Sequence, residues 1–225
     1  MDVAPRALPV IVTPMARAQK SSRLTVLISS SVYGREPLIE QIFAWLEMFG
    51  YEAWSSHVGS LPVELAIEDD TQTYASCIRA AEQCDIFFGL ITPRYGSGTD
   101  GAGGPAISEL ELAKAIELDK PRLILAHDQV VLARRLLMDL GFVGAAGRKA
   151  LTLRKGAGVI DDLRLIDMYE AASQEDLPIP DRNNNWVQKY SNEADVRLYV
   201  ERQFGRYAAM EAAVQRWRQR RGPQS

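Results

Sequence analysis

The feature that most constrains the fold is a regular alternation of short apolar runs with amphipathic segments. Four runs have the length and composition of buried strands, at residues 23–31, 51–56, 85–92 and 122–128. Between them, apolar side chains recur at the three- and four-residue steps of a helix, at residues 36–50, 73–84 and 108–121. Strand–helix alternation of this kind predicts right-handed crossovers and a doubly wound parallel sheet, an α/β fold of the Rossmann-like, flavodoxin-like class.

The length of the chain, 225 residues, allows one such domain and an extension. We predict a flexible N-terminal tail at residues 1–22, a Rossmann-like domain at 23–150, and a helical C-terminal extension at 151–225. Within the extension, the pattern predicts a helix, a loop and one long amphipathic helix, at residues 163–172, 177–186 and 193–217 respectively.

Composition excludes several classes of partner. The formal net charge of -3 gives no overall attraction to nucleic acid or to anionic membranes. No run approaches the roughly 20 apolar residues of a membrane span. Cys77 and Cys84 are seven residues apart on a predicted helix, so we expect reduced core thiols and a cytoplasmic protein. Two cysteines and two histidines cannot form a Cys/His zinc site, and we expect no metal and no cofactor.

Polar side chains follow each predicted strand at its carboxyl end, which is where open parallel sheets bind ligands. Hydroxyl and ring donors predominate in this set, which comprises Ser29, Ser30, Ser31, Tyr33, Ser55, Ser56, His57, Thr92, Arg94, Tyr95, Gly96, His127 and Asp128. Such a row suits a sugar or a phosphate. Small polar residues are also common in tight strand–helix turns, so a purely structural role stays open for the serines.

One carboxylate of the segment 108–121 has an unusual position. At 100° per residue, Ile107, Ala115 and Leu118 all fall within roughly 40° of Glu111, so this glutamate lies on the apolar stripe of its helix. A carboxylate that faces both the sheet and the ligand crevice can act as a nucleophile or stabilise an oxocarbenium ion. Ser108 and Glu111 also have the spacing of a capping box, which is the alternative interpretation.

Three segments together resemble a bacterial family known as domain of unknown function 4062, over roughly residues 24 to 205. They are VLISSSVYGREPLIEQIFAWLEMFGYEAW, CDIFFGLITPRYGSG and SELELAKAIELDKPRLILAHD. The chain is also similar to nucleoside deoxyribosyltransferases and, more distantly, to TIR-type NAD hydrolases. In the transferases a strand begins with aspartate, as DIFFGLITP does here. Their glutamate nucleophile opens a pattern of small residues and lysine, as Glu111 does in ELAKAIELDK, with Ala113 where glycine is usual.

This resemblance implies an enzyme that breaks the N-glycosidic bond of NAD or of another nucleotide or nucleoside. Glu111 would be the nucleophile or charge stabiliser and Asp85 its catalytic helper. The residues implied to contact ribose or phosphate are Ser29, Ser30, Tyr33, Tyr95 and Ser108. The similarity to TIR-type enzymes implies a role in bacterial stress or antiviral defence. The alternatives are a non-catalytic nucleotide-sensing module that signals by oligomerising and a purely structural interaction domain.

The predicted C-terminal helix carries a long apolar stripe, formed by Val196, Tyr199, Val200, Phe204, Tyr207, Met210, Val214 and Trp217. Over about seven turns it would extend close to 40 Å, about the width of a small α/β domain. An uncovered stripe of this length normally marks a protein–protein contact, so we predict a homo-oligomer with this helix at the interface. The alternative is that residues 150–190 fold back and cover the stripe.

Overall fold

A computed structural model of the chain describes residues 23–31, 33–67, 73–96 and 103–221. The predicted N-terminal tail, residues 1–22, lies outside the described residues. Five strands form one sheet in the order β2-β1-β3-β4-β5, with every neighbouring pair parallel. The strands are β1 (Thr25–Ser30), β2 (Glu52–Trp54), β3 (Ile86–Ile91), β4 (Arg122–His127) and β5 (Trp186–Tyr190). The predicted α/β fold with a parallel sheet is therefore confirmed.

Helices cover both faces of the sheet, as the continuous apolar strands require. The helices are α1 (Glu36–Met48), α2 (Val63–Ile67), α3 (Thr73–Gln83), α4 (Ile107–Glu117), α5 (Asp128–Asp139), α6 (Gly144–Arg148), α7 (Arg164–Ser173), α8 (Glu193–Phe204) and α9 (Tyr207–Arg221). Successive residues of β3 alternate between two apolar cores: Phe87 belongs to the core shared with α3, α4 and α7, and Phe88 to the core shared with α1 and α8. All six residues of β3 are buried, so this strand is the centre of the fold.

The strand β5 was not predicted from the sequence. It pairs with β4 and completes the sheet from within the predicted C-terminal extension. Only Tyr190 of its five residues is fully buried, and Trp186 is exposed. Because β5 is exposed over most of its length, WVQKY lacks the continuous apolar run of a buried strand. The predicted domain boundary near residue 150 stays a prediction.

The prediction of one long C-terminal helix is wrong. α8 ends at Phe204 and α9 begins at Tyr207, with Gly205 between them. A Cβ atom at position 205 would collide with the carbonyl oxygen of Glu201, so glycine permits the close turn at this break.

The apolar stripe on these two helices is covered by the chain itself. Val196, Val200, Phe204 and Val214 are fully buried, in the core that α1 and the sheet also form. Phe204 contacts the rings of Tyr51 and Phe88, with centroids 5.4 and 5.3 Å away. The stripe is therefore no exposed surface, and the reason for expecting an oligomer through this helix is removed. Its cover comes from α1, β1 and β3, and residues 150–190 contribute to it through Tyr190 of β5.

Candidate functional site

A cavity of about 310 Å³ opens at the carboxyl ends of β1 and β2. The sheet order places it beside the boundary between β1 and β3, where successive connections leave in opposite directions. Doubly wound sheets bind their ligands at this point. The lining residues are Ile28, Ser30, Ser31, Tyr33, Glu36, Ile39, Ser55, Ser56, His57, Tyr95, Gly96, Ala106, Ile107, Ser108 and Glu111. The cavity volume is at the lower end of the range for small-molecule sites.

Glu111 is a buried carboxyl group on the wall of this cavity. It lies on α4 with 5% of its surface exposed, and Ser29 Oγ donates a hydrogen bond of 2.5 Å to its Oε2. Burial raises the pKa of Glu111 from its ordinary value of 4.5 to about 8, although the bond from Ser29 acts in the opposite direction. Most Glu111 side chains therefore keep their proton at pH 7 when the cavity holds no ligand.

The capping-box interpretation of Ser108 and Glu111 is wrong. α4 begins at Ile107, its N-cap residue is Ala106, and no side chain caps its first turn. Ser108 is thus the second residue of the helix, and the carboxyl group of Glu111 is bonded to β1 instead of folding back to the helix start. Ser108 is buried and lines the cavity next to Glu111. The start of α4 at Ile107 therefore places both side chains at the cavity.

Tyr95 is held in the cavity wall by contacts with the start of α4 and with Arg164 of α7. Its hydroxyl group donates to the carboxylate of Glu109 and accepts a hydrogen bond of 3.0 Å from the backbone N–H of Ala106. The guanidinium carbon of Arg164 lies 4.0 Å from the centroid of the Tyr95 ring. Arg164 also donates a 2.9 Å hydrogen bond to the carbonyl oxygen of Gly104. Tyr95 and Gly104 lie on either side of residues 97–102, so the two contacts of Arg164 hold both ends of this stretch of the loop between β3 and α4.

Sequence reasoning missed Glu36 as a residue of the site. The carboxylate of Glu36 lines the cavity at the first turn of α1. Its pKa is lowered because its own backbone N–H and that of Gly34 donate hydrogen bonds to it. A glutamate in a first helical turn is common in ordinary helices. The sequence therefore indicated a role for Glu36 only by its position shortly after the polar residues at the carboxyl end of β1.

The other predicted site residues fall into two groups. Ser30, Tyr33, Tyr95 and Ser108 line the cavity together with Glu111. Ser29 is not among the lining residues, and its hydroxyl group is committed to Glu111.

Asp85 does not reach the cavity. It precedes β3, so the length of a six-residue strand, about 20 Å, separates it from the carboxyl end of the sheet. One carboxylate oxygen accepts a hydrogen bond of 3.1 Å from the backbone N–H of Thr25, and the other is ion-paired with Arg218 of α9. Asp85 thus joins α9 to the amino end of the sheet. We correct its assignment as a catalytic helper and do not propose it as one.

Several remaining groups have structural positions. Cys77 and Cys84 are both free and buried, as predicted for core thiols. His127 caps α5 by accepting a 3.2 Å hydrogen bond from the backbone N–H of Gln129. Within the described residues, no group of three or more His, Cys, Asp or Glu side chains is placed to hold a metal ion. The helices described here include none that is long and apolar enough to cross a membrane.

The fold and the cavity define a parallel α/β protein with a buried carboxyl group on the wall of a cavity at the carboxyl end of its sheet. The sequence profile of the family described as Domain of unknown function (DUF4062) matches residues 25–205, so the chain belongs to this family. The family predicted from the sequence is thereby confirmed.

A search of curated proteins found no match. Among solved structures, the Clostridium botulinum CMP N-glycosidase BcmB is 15% identical to this chain. The match covers 78% of this chain and 98% of that one, with a TM-score of 0.35.

Proposed function

We propose that this protein is an enzyme that cleaves the N-glycosidic bond of NAD or of another nucleotide or nucleoside. The observation that carries the proposal is the position of Glu111, a buried carboxyl group on the wall of a cavity otherwise lined largely by hydroxyl groups and apolar side chains. Burying a carboxyl group against its preference for water is costly and is typical of catalytic groups. The hydroxyl groups of Ser30 and Ser108 are suited to hold the sugar.

The chemistry follows from what a carboxylate does at an anomeric carbon. As the bond to the base breaks, positive charge develops on the sugar, and the ionised Glu111 stabilises it directly or forms a bond to the carbon. A water molecule then completes hydrolysis. Because the pKa of Glu111 is about 8, the active carboxylate form becomes more abundant as the pH rises towards 8. We expect kcat/KM to rise over this interval and then to level off.

The test is to incubate the purified protein with NAD, nucleotides and nucleosides and to follow free base by chromatography. We expect base release from at least one of them by the wild-type protein and none by Glu111→Gln. The matched control is Glu117→Gln, which removes an exposed carboxylate from the same helix and should release base at the wild-type rate. Tight binding of a nucleotide without base release would instead favour the sensing module.

A further inference from the structure

The charges around the cavity restrict what it can bind. Two carboxyl groups line it, from Glu36 and Glu111, and no lysine or arginine is among the described lining residues. The sequence of residues 97–102, SGTDGA, adds neither. A ligand in this cavity therefore meets negative charge or none, apart from the imidazole of His57.

The usual phosphate position of such a fold lies next to a carboxylate here. Doubly wound sheets hold phosphate at the N-terminus of the helix that follows the first strand, here α1. In this chain Glu36 is in the first turn of that helix, where the backbone N–H groups of Glu36 and Gly34 lower the pKa of its carboxyl group. A phosphate at this point would compete with the Glu36 carboxylate for those donors and would approach a negative charge. Like charges brought together in this way oppose binding.

The two arginines nearest in sequence to the cavity interact with other groups. Arg94 Nη1 lies 4.0 Å from a carboxylate oxygen of Asp161 and donates a 3.5 Å hydrogen bond to the carbonyl oxygen of Ala157. Arg35 acts electrostatically on His127 and Tyr190, which are at the ends of β4 and β5. Neither arginine lines the cavity. Within the described residues, therefore, no arginine in the cavity wall is placed to offset Glu36 or Glu111 for a bound phosphate.

Among the residues that the structure describes, none gives Glu111 a cationic partner. Its one hydrogen bond in the described residues comes from the neutral hydroxyl group of Ser29. A positive charge on the ligand would favour the ionised form of this carboxyl group and would also be attracted to Glu36. On the basis of the function proposed above, we propose that the substrate is a cationic nucleoside: an N-glycoside whose base carries a positive charge, as in a pyridinium riboside, and whose sugar carries no phosphate.

The reaction of such a substrate balances without an acid to protonate the base. The bond between C1′ and the ring nitrogen breaks with both electrons passing to nitrogen, which neutralises the ring. The carboxylate of Glu111 compensates the charge left at C1′, and a water oxygen bonds to that carbon. The products are the free sugar, the neutral base and one proton, which leaves to the solvent.

The experiment compares nicotinamide riboside with two matched compounds. Nicotinamide mononucleotide adds a 5′-phosphate to the same cationic base, and inosine is a neutral nucleoside without phosphate. We expect kcat/KM for nicotinamide riboside to exceed both by on the order of tenfold or more. The Glu36→Gln variant should lower the ratio of the riboside over the mononucleotide by several-fold, since it removes the carboxylate that a phosphate would meet. Glu117→Gln should leave this ratio unchanged.

Each result decides between the two proposals. Equal or faster cleavage of the mononucleotide or of inosine overturns the inference about charge and leaves the proposed function intact. If no compound releases base, the proposed function fails, and calorimetric binding of the same three compounds then decides. In that case about tenfold tighter binding of nicotinamide riboside supports the charge inference, and equal affinities overturn it.

Discussion

Replacing Glu111 by glutamine should make the protein more stable, by an amount that grows with pH. The native state raises the pKa of this carboxyl group from 4.5 to about 8, so between these values the native state holds a proton that the unfolded chain releases. Stability is therefore highest when the group is protonated, below pH 4.5, and falls as the pH rises towards 8. From 4.5 to 7 is about 2.5 pH units, which at about 1.4 kcal/mol each gives about 3 kcal/mol.

Glutamine has nearly the shape of protonated glutamic acid and cannot ionise. The free energies of unfolding of Glu111→Gln and the wild type should be similar at pH 4.5, and the variant should be more stable by about 3 kcal/mol at pH 7. Urea unfolding followed by circular dichroism at several pH values measures this difference, in which all other titrating groups cancel. Glu117→Gln, exposed on the same helix, should stay within about 0.5 kcal/mol of the wild type throughout. A difference independent of pH, or a variant less stable at pH 7, would refute the reasoning.

Three further substitutions test other parts of the structure. Ser29→Ala removes the hydroxyl donor that lowers the pKa of Glu111, so the rising limb of the pH profile of base release should move to higher pH; an unmoved limb would contradict this. Asp85→Asn weakens the pair with Arg218 and should lower the free energy of unfolding by about 1 kcal/mol in urea unfolding, with unchanged base release; lost turnover in a folded variant would return Asp85 to the catalytic group. Gly89→Ala would place a methyl group 2.9 Å from side-chain atoms of Phe87 and Ile124, which are both fully buried. Thermal unfolding should show that the free energy of unfolding falls by about 1–3 kcal/mol. A variant as stable as the wild type would contradict this and show that the core can relax.

The sequence predicted those parts of the fold that leave a strong apolar pattern. Four strands are buried on both faces, and such strands are continuous apolar runs. β5 lies at the edge, where its exposed Trp186 and polar neighbours gave no such run. The C-terminal helices had the correct apolar face, but periodicity alone did not reveal the break at Gly205 or the surface that covers the stripe.

The sequence predicted the candidate site only in part, as it did the fold. The helical wheel singled out Glu111, because a carboxylate on a buried stripe contradicts ordinary packing. The same method could not find Glu36, whose place in a first helical turn is unremarkable until the cavity is seen beside it. Asp85 was assigned by resemblance alone, and the direction of β3 places it at the end of the sheet away from the ligand crevice.

The most direct test of the central claim is a crystal structure of the Glu111→Gln protein soaked with nicotinamide riboside or another substrate that the wild type cleaves. We predict an intact ligand in the cavity, with its anomeric carbon about 3–3.5 Å from the side chain at position 111, as a reacting pair requires. Its sugar hydroxyl groups should contact Ser30 or Ser108, which line the same cavity. A ligand bound at another surface, or one with its anomeric carbon directed away from position 111, would contradict the account.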